Sequence, residues 1–431
     1  MSEMQSHVTP TIERLWEAIE TRRDELIALI AQLVRTPSVL GDEAAVQAIV
    51  AEHLRGSGLA VESWDLSDDT LQQENAGNSG VPFANRPNVA GVRRGSGGAG
   101  ARSLILNGHV DVVSPEPLAA WTHDPWGAEI VGNRMYGRGA LDMKSGVGIQ
   151  LFLARLLHDL DITLKGDLTV QSVIEEECTG NGALDMARRY TADAAIVTEA
   201  TFPQWTKAHV GVMWFRVLVR GRSAHAAVAP TGVNAIVKMV PVIQALTALD
   251  ARMNEERHPD FAHLDHPINL NIGVIQGGDW PSTVAGECEL HCRLSFFPGV
   301  SVASIREQVE AAVEGACEDD AWLTDNPPTV SYDGFSTAGS TVDLEDPALS
   351  LLHDWHVHVT GAPLNVAVGT GVNDMRYFNF AGIPSTMYGA GGKGAHAVDE
   401  YLDLDTLVPV ARSLGAYLLD FCGVAEADPS P

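Results

Sequence analysis

Residues 167–182 have the sequence DLTVQSVIEEECTGNG. The run Leu168–Ile174 is largely apolar and rich in β-branched residues, as in a buried strand, and a turn containing glycine follows it. Three consecutive glutamates, Glu175, Glu176 and Glu177, lie between the predicted strand and the turn. Carboxylates so close together repel each other and raise one another's pKa, so water or cations must offset their charge. A triplet of this kind is usually a solvated loop, and only its surroundings can distinguish that structure from a metal site.

The segments on either side of this stretch alternate between strand and helix patterns. SLILNGHVDVV (103–113) and ADAAIVTEA (192–200) have the composition of strands. SGVGIQLFLARLLHDL (145–160) and GALDMARRY (182–190) have apolar residues at helical spacing. This alternation predicts an α/β domain, built on a mostly parallel sheet with helices on both faces.

The pattern changes near residue 209. The predicted elements of residues 209–331 follow the order strand, helix, strand, strand, helix, strand, which is the ferredoxin-like order. Helix and strand patterns of the first kind then resume. We therefore predict a discontinuous main domain, residues 1–208 and 332–431, with an inserted α+β domain at 209–331.

Composition limits the class of partner. The chain has 431 residues and a formal charge of −28, from 56 acidic and 28 basic residues. An acidic surface of this size repels phosphate backbones and anionic lipids, so we expect neither a nucleic acid nor a membrane partner. Five cysteines in no disulfide-rich pattern favour a reducing compartment. With no signal-peptide pattern at the N-terminus and no apolar run of 18 residues, we expect a cytoplasmic protein.

Histidine and carboxylate residues follow several of the predicted strands. Ligands bind at the carboxyl ends of the strands in open α/β sheets, so these side chains should meet at one edge. Each alone has an ordinary explanation, such as a helix N-cap or a surface histidine. Together, two imidazoles and several carboxylates suit a pair of metal ions that share a bridging carboxylate, with one glutamate left as a base. The residues concerned are His109, Asp111, Asp142, Glu175, Glu176, Glu177, Glu199 and His396.

Five motifs carry a family resemblance. GHVDVV (108–113), GRGALDMKSG (137–146), IEEECTGNG (174–182), TEAT (198–201) and GKGAHAVDEY (392–401) resemble the co-catalytic metallo-aminoacylase and metallopeptidase family. Acetylornithine deacetylase, succinyl-diaminopimelate desuccinylase, aminoacylase and glutamate carboxypeptidase belong to that family. The resemblance covers nearly the whole chain, and it implies the same two-domain fold with a dimerisation lid.

The resemblance also implies roles for individual residues. Glu176 resembles the general base of the family, and Asp111 resembles the aspartate that orients a metal-bound imidazole. Two divalent cations per subunit are implied; we expect zinc, with cobalt or manganese as alternatives. The ligands that the resemblance implies are His109, Asp142 as the bridge, Glu177, Glu199 and His396.

The predicted lid carries two further matches. His225 resembles a histidine that enters the active site of the partner subunit, which implies a homodimer formed through the lid. Arg293 resembles an arginine that receives a substrate carboxylate. The chain departs from several relatives at Trp280–Ser282, where an asparagine is usual, so substrate contacts from this loop should differ. Asp374 also matches a family pattern, and we expect it to be structural.

These features predict a dinuclear metal-dependent amidohydrolase that removes an N-acyl group from an amino acid or a similar small carboxylate-bearing amide. An activity like that of acetylornithine deacetylase is the first expectation. Deformylation of a heterocyclic amine, ureido-acid cleavage and dipeptide cleavage are the alternatives within the class. A non-catalytic metal-binding scaffold is the alternative from another class, and the presence of Glu176 argues against it, since a scaffold needs no spare base.

Overall fold

A computed structural model describes residues 3–425. Several helices begin at side-chain caps; Thr9, Asn234 and Asp346, for example, each accept a hydrogen bond from the first turn that follows. The helices are α1 (Pro10–Thr21), α2 (Arg23–Val34), α3 (Ala44–Gly56), α4 (Lys144–Asp159), α5 (Asn181–Arg189), α6 (Ala235–Met253), α7 (Val302–Gly315), α8 (Ala321–Asp325), α9 (Pro347–Thr360), α10 (Met375–Phe380) and α11 (Leu407–Cys422).

The strands form four sheets. They are β1 (Ala60–Asp65), β2 (Pro87–Arg93), β3 (Leu104–His109), β4 (Glu129–Val131), β5 (Arg134–Tyr136), β6 (Leu168–Val173), β7 (Ala194–Val197), β8 (Gln204–His209), β9 (Gly211–Arg220), β10 (Leu270–Gly277), β11 (Glu287–Phe296), β12 (Thr329–Thr337), β13 (Ser340–Thr341), β14 (Asn365–Gly369), β15 (Ser385–Met387), β16 (Gly392–Lys393) and β17 (Tyr401–Asp403).

The central sheet has six strands in the order β1-β2-β6-β3-β7-β15. Strands β6, β3, β7 and β15 are parallel to one another, and β1 and β2 add an antiparallel edge. The predicted mostly parallel sheet is confirmed. Because the four parallel strands share a direction, the residues that follow them lie along one edge.

Helices cover both faces of this sheet. Val89 and Val170 point into the larger apolar core, which α1–α4, α9 and α11 complete. Ala90 and Val173 lie on the opposite face of the same two strands and belong to a smaller core that includes Tyr377. Alternate residues of a strand point to opposite faces, so strands buried on both sides have near-continuous apolar sequences.

The second unit is an antiparallel sheet in the order β10-β11-β9-β12. With α6 and α7 packed on it, this is the ferredoxin-like arrangement that the sequence predicts, and we call it the lid. Its core is separate from that of the central sheet and includes Phe215, Leu246, Leu290 and Val309. The limits 209 and 331 stay a prediction.

Two small sheets were not predicted from the sequence. Strand β8 pairs with β13 and β14, next to the base of the lid. The other has the order β16-β17-β5-β4 and holds the loop that carries His396 between β16 and β17. Most of these strands have only two to five residues, too few for an alternating pattern to be recognisable.

The helical pattern over residues 11–35, predicted as one helix, forms two. Arg22 leaves the helical conformation with φ −109° and ψ 21°, and Thr21 donates its hydroxyl to the carbonyl of Glu17 at 2.8 Å. A threonine hydroxyl that bonds back to the preceding turn competes with the helical hydrogen-bond pattern.

Among residues 3–425, no helix combines the length and the apolar character that crossing a membrane would require.

Candidate metal centre and active site

One edge of the central sheet collects two histidines and four carboxylates. His109 ends β3, Glu176 and Glu177 follow β6, and Glu199 follows β7. The other two come from loops that reach the same edge. Asp142 precedes α4, and His396 lies in the β16–β17 loop.

The imidazole of His109 is held in one tautomer. It is buried, and its Nδ1 lies 2.9 Å from the backbone carbonyl of Asp111, which can only accept a hydrogen bond. Nδ1 therefore carries a proton, and Nε2 points at carboxylates. Among the described residues Nε2 has no hydrogen-bond partner, although Asp142 Oδ1 lies 3.3 Å away and Glu199 Oε1 3.5 Å. A buried imidazole nitrogen among carboxylate oxygens can hold a proton or, once that proton is lost, a cation.

Asp142 lies between the two histidines. Its Oδ1 faces His109, and its Oδ2 lies 3.4 Å from Nε2 of His396. The same His396 nitrogen is 2.8 Å from Oε2 of Glu177. Donor atoms of His109, Asp142 and Glu177 lie within 4.8 Å of one another, as do those of His109, Glu176 and Glu199. Nitrogen and oxygen donors in this arrangement fit two divalent cations with Asp142 between them.

The charges of this cluster are unbalanced within the protein. Burial, with nearby Asp374, Glu199 and Glu177, raises the pKa of Glu176 well above its usual value, against the opposing effect of His109. Burial and the charge of Asp142 raise the pKa of Glu177 to about 7. In the absence of cations these two glutamates thus tend to hold protons, the usual response of crowded, buried acids.

The pKa values of the two histidines rise as well. Hydrogen bonds to Asp142 and Glu177 raise the pKa of His396 to about 10. Burial would lower the pKa of His109, but Asp142 and Glu199 outweigh burial and raise it well above its usual value. Without metal, protons on these groups supply part of the positive charge that the four carboxylates need.

Glu175 turns away from this cluster. It is fully buried, has φ of 65°, and its carboxylate accepts hydrogen bonds from Arg86 at 2.7 Å, Thr179 at 2.8 Å and Ser79 at 2.9 Å. Arg86 also forms a bidentate pair with Glu43. The triplet is therefore not a solvated loop. One carboxylate is satisfied by an arginine, and the next two face the candidate metal site.

Asp111 differs from the expectation in detail. The group that fixes the His109 tautomer is its backbone carbonyl; its carboxylate oxygen lies 3.7 Å from Nδ1. The carboxylate instead accepts hydrogen bonds from the backbone N–H groups of Glu176, at 3.1 Å, and Glu177, at 3.0 Å. Asp111 thus touches both halves of the site, holding an imidazole with one group and the glutamate backbone with another.

A cavity of about 700 Å³ opens between the sheet edge and the lid. Glu176, Glu177, Glu199, Asp142 and His396 are part of its lining. Most of the remaining lining is apolar and was not anticipated from the sequence, because its residues come from segments of both units that only the fold brings together. Its members include Val212, Trp214, Phe335, Val368, Val372 and Met387.

The two predicted lid residues fall in different places. Arg293, on β11, lines the cavity and donates to the carbonyl of Thr370 at 3.2 Å; it has no carboxylate partner among residues 3–425. His225 does not line the cavity of its own chain. It is exposed at the start of a short 3₁₀ helix, where its Nδ1 accepts from the N–H of Ala227.

Asp374, expected to be structural, lies close enough to influence the site. It is fully buried, and neither carboxylate oxygen has a hydrogen-bond partner in the part of the chain that the structure describes. Burial raises its pKa to about 7, against the opposing charges of Arg376 and His109. This environment was not predicted from the sequence, because the burial of Asp374 depends on the fold.

Comparisons with known proteins agree with this geometry. The profile of the Peptidase family M20/M25/M40 matches residues 105–420. The N-formyl-4-amino-5-aminomethyl-2-methylpyrimidine deformylase of Halalkalibacterium halodurans is 30% identical over 440 residues, covering 96% of this chain and 99% of the relative. The acetylornithine deacetylase of Pectobacterium carotovorum is 29% identical over 334 residues, covering 75% and 82%. Human carnosine dipeptidase 1 has a similar fold, with a TM-score of 0.73 at 15% identity, covering 96% and 99%.

Proposed function

The chain belongs to peptidase family M20/M25/M40 and is a metal-dependent hydrolase of amide C–N bonds; within that class, we propose that it removes a formyl or other short acyl group from the amino group of a small heteroaromatic amine. The observation that carries the reaction is the open Nε2 of buried His109 beside Asp142 and Glu199, next to Glu176. Once deprotonated, this nitrogen can bind a cation, and Glu176 remains as an acid–base group.

Five residues would hold the cations. His109 and Glu199 would bind one ion, His396 and Glu177 the other, and Asp142 both. Two divalent cations supply Lewis acidity, which polarises the amide carbonyl and makes water acidic enough to attack near neutral pH. Zinc suits the mixed nitrogen and oxygen donors, and cobalt or manganese can occupy such sites.

Glu176 would move the proton. It lines the cavity, and its Oε2 lies 4.0 Å from Nε2 of His109, at the edge of the ligand set. The carboxylate takes a proton from the attacking water as the new O–C bond forms. It returns that proton to the amine nitrogen as the C–N bond breaks, giving a carboxylate and an amine. Asp111 supports this step, because it fixes the backbone of Glu176 and Glu177.

The cavity favours a flat, largely apolar amine. Trp214 and Phe335 pack edge to face at 5.5 Å and line the cavity, as do Val368 and Met387. Aromatic walls bind aromatic rings in offset or edge-to-face contact. The similarity to a deformylase that acts on a pyrimidine covers almost all of both chains, which supports the same substrate class here.

An N-acyl amino acid is the second candidate, because Arg293 favours it. This arginine reaches the cavity without a carboxylate of its own among the described residues, and a guanidinium can receive a substrate carboxylate through two parallel hydrogen bonds. An activity like that of acetylornithine deacetylase would use this contact. Heteroaromatic amines lacking a carboxylate would not.

We also propose that the protein is a homodimer whose lids meet. Strand β10 is a sheet edge, and on the same unit several large apolar side chains are exposed, including Val237 at 62%, Ile275 at 54% and Trp280 at 68%. Exposed apolar residues concentrated in one region favour an interface. His225 lies next to the Trp280 loop, since Ala226 donates its N–H to Ser282 at 2.8 Å. His225 of the partner subunit could then stabilise the oxyanion that forms on the substrate.

A substrate panel tests the proposal. Hydrolysis would be measured on the N-formyl and N-acetyl forms of an aminomethylpyrimidine, N-acyl amino acids, N-carbamoyl amino acids and dipeptides. Each would be run with metal-stripped protein, with zinc or cobalt restored, and with Glu176→Gln. We expect metal-dependent turnover of the N-formyl heteroaromatic amide, lost in the variant. Preference for N-acyl amino acids, together with a rise in KM in Arg293→Met, would select the second candidate.

A further inference from the structure

Glu400 is buried where two ligand-bearing segments meet. It lies four residues after His396 and directly before β17. Strand β17 pairs with β5, and the chain runs from β5 into the loop that carries Asp142. The backbone of Glu400 joins the two segments as well, because its carbonyl accepts the N–H of Gly137 at 3.0 Å. Its side chain has no exposure to solvent.

The carboxylate of Glu400 receives four hydrogen bonds from the Asp142 loop. Oε2 accepts from the guanidinium of Arg138 at 2.6 Å and from the N–H of Gly139 at 3.1 Å. Oε1 accepts from the N–H groups of Leu141, at 2.9 Å, and Asp142 itself, at 3.0 Å. A buried carboxylate is stable in the protein interior only when such donors compensate its charge, so this contact fixes the loop as firmly as it fixes Glu400.

The position of Asp142 matters for both candidate cations. Its two oxygens face different histidines, His109 at 3.3 Å and His396 at 3.4 Å. A small rotation of the Asp142 backbone would move both oxygens together and disturb both sets of donors. Glu400 holds the N–H of this residue and of the residue before it.

We propose that Glu400 is a positioning residue that holds Asp142 between the two metal positions and thereby sets the affinity for both cations together. Glu400 touches neither the cavity nor the cations in this arrangement and acts through Asp142. The inference rests on the proposed metal centre. It adds to that centre a coupling between the segments that carry Asp142 and His396, which are more than 250 residues apart in the chain.

The test is metal binding to Glu400→Gln. An amide of the same shape replaces one acceptor oxygen with an NH₂ group, which then faces N–H donors. Titration calorimetry of metal-stripped protein with Co²⁺ should show both affinities lowered about 10- to 100-fold, as for other groups that orient metal ligands. Glu177→Gln, which removes a donor beside His396, should weaken mainly one ion. The absorption of bound Co²⁺ would report any change in coordination independently of activity.

Asp399→Asn is the matched control. Asp399 lies next to Glu400, but it is only half-buried and its carboxylate accepts from Thr122 and His123, away from the Asp142 loop. Asparagine also tolerates its φ of 53°. We expect the Co²⁺ affinities of this variant to stay within twofold of the parent.

The outcomes distinguish a failure of the proposed metal centre from a failure of the role proposed for Glu400. If the parent protein binds no divalent cation, the metal centre itself is wrong. If the parent binds two cations and Glu400→Gln binds them equally well, only the role of Glu400 is wrong, and a lower melting temperature of that metal-free variant would then show a structural role. Should the variant not fold, hydrogen exchange of the parent decides. The amides of Leu141 and Asp142 should exchange slowly in metal-free protein, and rapid exchange there would overturn the proposal.

Discussion

Glu175 and Glu177 are two residues apart, and their surroundings are opposite. The carboxylate of Glu175 belongs to a buried cluster with Arg86 and Glu43, in which a guanidinium and several hydroxyl or amide donors satisfy it. The carboxylate of Glu177 meets Asp142 and His396 in a cluster where carboxylates outnumber the histidines. We call the first the closed cluster and the second, with His109, Glu176 and Glu199, the open cluster.

The difference between the two clusters distinguishes buried charges that stabilise the fold from buried charges that are available for function. Both clusters bury glutamates, so burial alone does not identify an active site. The closed cluster obtains its positive charge from the chain, whereas the open cluster leaves Nε2 of His109 without a hydrogen-bond partner among residues 3–425 and the pKa of Glu176 raised. Charges that the protein itself does not compensate mark the place where a cation and a substrate fit.

The largest expected effect is on catalysis in the open cluster. Glu176→Gln should lower kcat by about 10²- to 10⁴-fold, because an amide cannot carry the proton from water to the leaving amine. Metal content, measured on the same sample, should remain two ions per chain, since Glu176 is not among the five proposed ligands. Retention of more than a tenth of the parent kcat would show that another group moves the proton.

The next effect belongs to the closed cluster. Arg86→Met leaves Glu43 and Glu175 buried without their cation and should lower the free energy of unfolding by about 3–5 kcal/mol. Chemical denaturation should give the same loss with and without metal. Arg94→Met, which breaks an exposed pair with Asp167, is the control and should cost less than about 1 kcal/mol. Equal losses in the two variants would remove the distinction between a buried cluster and a surface pair.

Metal binding should stabilise the protein through the open cluster alone. At a free concentration 100 times the dissociation constant, each site adds about 2.7 kcal/mol to the free energy of unfolding. His109→Ala should lose much of this gain, whereas Arg86→Met should keep it despite its lower baseline. Denaturation curves at several zinc concentrations would measure both. A parent protein whose stability does not respond to any of zinc, cobalt or manganese would contradict the proposed ligands.

The smallest effect is that of pH on metal affinity. Glu177, with a pKa raised to about 7, and His396, with a pKa raised to about 10, hold protons in the metal-free protein at pH 6, and a cation must displace them. Because raising the pH removes a proton from Glu177, affinity should increase between pH 6 and 8, by up to tenfold per pH unit for each proton released. Calorimetry in two buffers of different ionisation enthalpy would count those protons. An affinity that does not change over this range would show that the ligands are already deprotonated.

The sequence predicted the reaction class well because that class depends on local patterns. Strand ends are recognisable from apolar runs, and parallel strands place their carboxyl ends together, so His109, Glu177 and Glu199 could be grouped without coordinates. Short strands and distant contacts were not recognisable. The single helix predicted for residues 11–35 forms two, and the contacts of Glu400 with the Asp142 loop and of Trp214 with Phe335 became visible only in the fold.

By itself the sequence determined the α/β and ferredoxin-like units, the order of the motifs and the kind of chemistry, since periodicity and motif spacing are properties of neighbouring residues. Only the tertiary structure decided which of three adjacent glutamates is compensated by Arg86 and which face the candidate metal site. It also decided that the carbonyl of Asp111 holds the imidazole while its carboxylate holds the glutamate backbone. The state of a carboxylate depends on the charges and donors within a few ångströms, and in a folded chain most of those come from residues far away in sequence.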